Sequence, residues 1–177
     1  MPGPAFLYGE TVTLRPVERE DLPFLQTTIN DPDVWSSLAA NAPINMNNEE
    51  GWFESVGDGD DVHLLITDGD RRVGMISLTS LDPTFGSAEL GYWIAPDEQR
   101  QGYATDAVRT ITAYGFDHRR LHRIVAHVFA FNDASRTLLE NVGFREEGVL
   151  RESAYVDGSY CDMYCYGVLE DELERTH

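Results

Sequence analysis

Lysine is absent from this 177-residue chain. All 13 basic residues are arginine, set against 31 acidic residues, for a formal net charge of −18 at pH 7. So acidic a surface repels nucleic-acid phosphates and anionic lipid, which argues against nucleic acid or membrane as a direct partner. It also repels itself at low ionic strength. At molar salt the Debye length falls to about 3 Å and that repulsion is screened, so a salt-rich cytoplasm and a halophilic source are expected. Apolar runs long enough to cross a bilayer are missing as well. The opening residues, Met1-Pro2-Gly3-Pro4-Ala5, hold neither the basic nor the apolar region of a signal peptide, and cytoplasmic residence is the expectation. Cysteine is scarce. Cys161 and Cys165 lie four apart, on one side of any strand that carries them. No convincing set of further ligands stands near them, so no metal is expected and their role is open.

What remains is enough for one domain, residues 1–177, with a core of its own. Glu10–Val17 alternates and is rich in β-branched residues, which predicts a strand. Glu20–Asn30 predicts a helix, with Pro23 in the first turn where proline is tolerated. Asn47 or Asn48 is placed to cap a second short helix through Trp52 and Phe53. Strands are expected at Val62–Thr67, Val73–Leu81, Ala88–Ile94 and Arg123–Phe131, helices at Tyr103–His118 and Asp133–Asn141, and Gly143 as a left-handed stop. A last hairpin turns at Asp157-Gly158. The order predicts an α/β (α+β) fold, a mixed twisted sheet of about seven strands flanked by about four helices.

One segment carries most of the chemistry: Gly91-Tyr-Trp-Ile-Ala-Pro-Asp-Glu-Gln-Arg-Gln-Gly-Tyr-Ala-Thr105. A strand ends, Pro96 breaks it, and a glycine-containing loop runs straight into a helix. The first amides of a helix have no internal partner and carry partial positive charge, so a loop that gathers them makes an anion cradle. Gly102 allows close approach and Arg100 adds a charge at the rim. Neither the lysine-bearing phosphate loop nor the three-glycine dinucleotide fingerprint is present.

The pattern Gln99-x-x-Gly102-x-Ala104 resembles the coenzyme-A signature of the GNAT N-acetyltransferase superfamily. Ala88-Glu-Leu-Gly-Tyr-Trp-Ile94, Gly102-Tyr-Ala-Thr-Asp-Ala107, Asn132-Asp-Ala-Ser135, Leu138-Leu-Glu-Asn-Val-Gly-Phe144 and Gly148-Val-Leu-Arg-Glu-Ser153 resemble its RimJ/RimL-type branch, in order along nearly the whole chain. The resemblance implies a GNAT-like fold that binds acetyl-CoA as cosubstrate and acetylates an amine, with no metal. It places the pantetheine arm along Tyr92, Trp93 and Ile94, and the pyrophosphate on the loop Gln99, Arg100, Gln101, Gly102, Tyr103, Ala104 and Thr105. Asn132 and Ser135 would touch the coenzyme arm, Ser135 near the thioester sulfur.

A neutral amine must attack the thioester, so a base is sought. Glu89, on the coenzyme strand, is the first candidate and His127 the second, at a position matching a glutamate base in RimI-like relatives. His63, His118, His122 and His177 have no such placement. Ser135 is the candidate acid, because RimI-like relatives carry a tyrosine seven residues after the matching asparagine and Leu139 stands there in this chain. Trp35, Trp52, Tyr155 and Tyr160, with Phe53, fall in regions that form the acceptor cleft of the family. The implied acceptor is a protein N-terminus, of the ribosomal-protein type. A small amine (polyamine, amino acid or aminoglycoside) and a non-catalytic coenzyme-A sensor stand as alternatives. Monomer and homodimer are both open.

Overall fold

The computed structural model describes residues 1–38 and 40–175; the His177 considered above lies outside them. Eight strands form one sheet: β1 (Leu7–Tyr8), β2 (Thr13–Pro16), β3 (Val62–Asp68), β4 (Arg71–Asp82), β5 (Ser87–Ile94), β6 (Arg123–Phe129), β7 (Arg145–Val156) and β8 (Ser159–Leu169). Their spatial order is β1-β2-β3-β4-β5-β6-β8-β7. Every neighbouring pair is antiparallel except β5 and β6, which run parallel. Five α-helices accompany them: α1 (Leu22–Ile29), α2 (Pro32–Trp35), α3 (Met46–Ser55), α4 (Tyr103–Arg119) and α5 (Asp133–Val142). The chain adopts the expected mixed α/β class.

Three expectations need correction. The strand expected at Glu10–Val17 is shorter and has a companion. The chain turns at Gly9–Val12 because the Asp106 carboxylate, reaching out from α4, accepts the amides of Glu10, Thr11 and Val12 at 3.0, 2.7 and 2.9 Å. Those three amides serve a side chain rather than a ladder, and β1 and β2 pair on either side of the turn. The cap of α3 is Asn45, not Asn47 or Asn48. Its side chain accepts from the Asn48 amide at 2.9 Å while Asn48 bonds back to the Asn45 amide, a reciprocal box that starts the helix earlier. The short helix α2 follows Asp31-Pro32, an N-cap and first-turn proline that the periodicity did not bring out.

Alternation along the strands divides the core in two. Leu64, Ile66, Ile76, Leu78, Leu90, Ile124 and Val128 face α4 and α5, meeting Ala107, Val108, Ile111, Leu139 and Val142. Gly115 lets α4 lie close, since a Cβ there would stand 3.0 to 3.2 Å from Ile124, Leu121 and Leu78. On the other face Leu65, with Met75 and Trp93, packs under Leu22, Leu25 and Phe24 of α1 and Met46, Trp52 and Phe53 of α3. Each large side chain buried this way contributes about 1.5–3 kcal/mol. Gly143 ends α5 at φ 113°, as expected.

Candidate active site

The sheet parts at its parallel pair. β5 and β6 are in register at Ser87–Arg123, Ala88–Ile124 and Glu89–Val125 and no further, although both strands continue. Past Glu89 they leave a cleft of about 690 Å³ between Leu90–Ile94 on one side and Ala126–Phe129 on the other. The Ala95 amide donates to the Val73 carbonyl on β4. By alternation Trp93 and Gly91 also turn toward β4, and the N–H groups of Tyr92 and Ile94 face the open edge. The side-chain amide of Gln99 donates to the Ile94 carbonyl at 3.2 Å, tying the loop to the end of the strand.

At one end of the cleft lies the start of α4. Gly102 holds the N-cap position at φ 83°, and no side chain caps that turn. A Cβ on Gly102 would meet nothing within 4 Å, so it would project into empty space beside the free amides. Asp106, the one acidic residue of the first turn, is turned away to the β1–β2 turn. Arg100 has φ 63° and no charged or hydrogen-bonding partner among the described residues. Tyr103 donates to Asp68 at 2.7 Å and accepts from Arg71 at 2.9 Å, which fixes the helix start against the β3–β4 turn. An uncapped, open helix start with a free arginine fits a pyrophosphate. Gln99, Arg100, Gly102, Tyr103, Ala104 and Thr105 all line the cleft, whereas Gln101 bonds to Glu98 at its edge.

On the α5 side, Asn132 spends its side-chain oxygen on capping the helix, accepting the Ser135 amide at 3.2 Å. The Ser135 hydroxyl does not bond locally. It meets the Tyr92 hydroxyl at 2.5 Å, and both residues line the cleft. Burial raises the Tyr92 phenol above its ordinary range, with the Ser135 contact opposing.

Glu89 and His127 project from the opposite face, where the strands begin to part. The two rival bases are partners: Glu89 Oε1 and His127 Nδ1 lie 2.9 Å apart, with side chains 42% and 34% exposed. His127 lines the cleft and Glu89 stands behind it. The structure leaves the nominated aromatics outside the cleft lining. Trp52 packs edge-on against His63 at 5.4 Å, over the lower core. Trp35 ends α2, between Val34 and Ser36, which do line the cleft. Tyr155 and Tyr160 meet edge to face at the tip of the last hairpin, 62% and 67% exposed. Cys161 and Cys165 are free thiols on β8, Cys165 beside His127 in register. Sequence reasoning missed Asp33, Ser36, Ser37, Leu38 and Phe131, which add a rim to the cleft lining. Only the Asp31-Pro32 helix start pointed toward that rim. No group of metal-ligating side chains gathers among the described residues, and no helix of theirs is long and apolar enough to cross a membrane.

Comparison with known proteins agrees with this geometry. Residues 11–145 match the family described as the acetyltransferase (GNAT) domain. YdaF of Bacillus subtilis (strain 168), named as a candidate ribosomal N-acetyltransferase, is 39% identical over 110 residues, 62% of this chain and 60% of that protein. The spermidine N(1)-acetyltransferase of Vibrio cholerae is 29% identical over 168 residues, 93% of this chain and 97% of that one. A crystal structure of spermidine N-acetyltransferase from Vibrio cholerae, in complex with CoA and spermine, superposes with a TM-score of 0.85 at 28% identity, covering 92% of this chain and 97% of that chain.

Proposed function

We propose, from the premise that this chain belongs to the GNAT acetyltransferase family and is an acetyl-CoA-dependent N-acetyltransferase, that its acceptor is the N-terminal α-amine of a protein, as in the RimJ/RimL-type branch. The observation that carries this reading is the make-up of the acceptor rim. Among the described residues that line the cleft, the carboxylates are Asp33 and Glu98, and Glu98 is bound to Arg71 at 2.8 Å. A polyamine presents several ammonium groups and calls for several spaced carboxylates. A peptide N-terminus presents one, followed by backbone that Ser36, Ser37 and Phe131 could flank.

In this reading the uncapped start of α4 and Arg100 hold the pyrophosphate, and the open edge of β5 receives the pantetheine arm. Glu89 accepts the Nδ1 proton of His127 and so leaves Nε2 as the basic nitrogen. His127 takes the proton of the attacking amine as the C–N bond forms. A free α-amine titrates near 7.7–8.0, so the attacking group needs only modest help in losing its proton. The N–H groups of Tyr92 and Ile94 face the edge on which the tetrahedral oxyanion would build.

A second reading, acetylation of a polyamine, draws on the likeness to the spermidine acetyltransferases over nearly the whole chain. The test is a turnover panel of peptides with free N-termini against spermidine and spermine, read as kcat/KM from coenzyme-A release. Peptides are expected to exceed both polyamines by at least an order of magnitude, a margin worth about 1.4 kcal/mol. Higher kcat/KM with spermidine than with any peptide replaces the first reading by the second.

A further inference from the structure

We infer that the Tyr92 phenol is a positioning residue for departure of the coenzyme thiolate, holding and polarising the Ser135 hydroxyl. The inference rests on the reading of this cleft as the coenzyme site. Three observations lead to it. Leu139, at the place where the resemblance to RimI-like enzymes would call for a tyrosine acid, is fully buried in the core and has no proton to give. Ser135 would be left alone, and an aliphatic hydroxyl is a weak donor. Yet its oxygen lies 2.5 Å from the Tyr92 oxygen, within the cleft and across from the strand that the pantetheine arm would follow.

The direction of that contact follows from acidity. A phenol, with an ordinary pKa near 10, is far more acidic than an alkyl alcohol, so it is the better donor and serine oxygen the better acceptor. With Tyr92 donating, the one hydroxyl proton of Ser135 is released to point elsewhere in the cleft. A hydroxyl that accepts a hydrogen bond also donates a stronger one. The Ser135 amide is fixed by the Asn132 side chain at 3.2 Å, so both ends of the residue are held. Burial keeps the phenol protonated, as a standing donor requires.

Protons and electrons balance without a new reactant. The amine nitrogen forms the C–N bond and its proton goes to His127. The C–S bond then breaks with its electron pair on sulfur. The Ser135 O–H donates a hydrogen bond to that sulfur while the Tyr92 O–H stays on its oxygen. The thiolate takes its proton from solvent after release.

The first readout needs no acceptor. A donor aimed at sulfur favours the thiolate, so the affinity of coenzyme A should rise as pH climbs through the thiol range near 8.5. Calorimetric titration across that range should show the rise for the wild type and not for desulfo-coenzyme A. Tyr92→Phe, which keeps the ring and its packing, should flatten the rise about as much as Ser135→Ala does. In turnover, Tyr92→Phe should lower kcat by about three- to tenfold with little change in the KM for acetyl-CoA. The double variant should be no worse than Ser135→Ala alone, because Tyr92 acts through the serine. A folded Tyr92→Phe protein with the wild-type pH profile of coenzyme affinity overturns the inference, whatever its kcat. Failure of the wild type to bind coenzyme A at all overturns the reading of the cleft as well.

Discussion

Asp21 meets Arg72 at 2.7 Å and Glu89 meets His127 at 2.9 Å, but the two pairs sit in opposite surroundings. Asp21 is wholly buried at the entrance to α1, and its second oxygen accepts the Glu18 amide at 2.8 Å. Every polar atom of that carboxylate has a fixed partner, and the pair ties α1 to β4. Glu89 and His127 are each more than a third exposed and line up where the parallel strands β5 and β6 lose contact. An ion pair whose carboxylate is sealed in the core is costly to break and chemically idle. The same kind of pair at a parting of the sheet adds little to stability and keeps a ring nitrogen accessible.

The largest effect should come from breaking the sealed pair. Arg72→Ala strands a buried carboxylate and should cost about 3–5 kcal/mol in denaturant unfolding, with the turnover of still-folded protein unchanged. A loss under 1 kcal/mol would erase the contrast. Next, His127→Ala should lower kcat by about 10²–10⁴ while shifting stability by no more than about 1 kcal/mol. Glu89→Gln should lose less, about tenfold, and most at low pH, where the oriented imidazole matters more. A larger loss from Glu89→Gln than from His127→Ala would exchange their roles. Gly102→Val tests the other end of the cleft: binding of coenzyme A should weaken about tenfold or more as the side chain enters the phosphate cradle.

The smallest effect concerns Glu49, a buried carboxylate on α3 with no side-chain partner among the described residues. Burial raises its pKa. A carboxyl whose folded pKa is raised is most favourable when protonated, so its penalty appears as pH climbs above the ordinary carboxylate range. Glu49→Gln should therefore be more stable than the wild type at neutral pH, by on the order of 1 kcal/mol, and equal to it in acid. A gap that widens toward acid would reverse the sign of this account.

Periodicity and turn chemistry located most elements because both are local. The proposed coenzyme loop stands out for the same reason: Gln99, Gly102 and Ala104 are close in the chain, and the free amides they expose belong to one helix start. The proposed acceptor rim does not, since Asp33 and Phe131 lie far apart in the chain and line one cleft only once it is folded. The aromatic residues nominated for the acceptor cleft lie outside its lining. Trp52 packs, partly buried, against the smaller core cluster and the Tyr155–Tyr160 pair sits on a hairpin tip. Glu89 and His127 are 38 residues apart in sequence. They could be ranked as rivals but not recognised as partners, because their contact depends on the register of a parallel pair. The turn at Gly9–Val12 was hidden likewise, by a carboxylate about ninety residues downstream.

The open edge of β5 has a consequence for how the protein breathes. The amide hydrogens of Tyr92 and Ile94 belong to a strand in the middle of the sheet, where solvent exchange is ordinarily slowest. Here no neighbouring strand receives them. They should exchange like those of a frayed edge, while Trp93 and Ala95, turned toward β4, stay protected. A ligand laid along that edge would slow exchange at alternate residues only. Ligand and sheet would then share one set of hydrogen bonds, and occupancy would finish a piece of folding that the chain leaves incomplete.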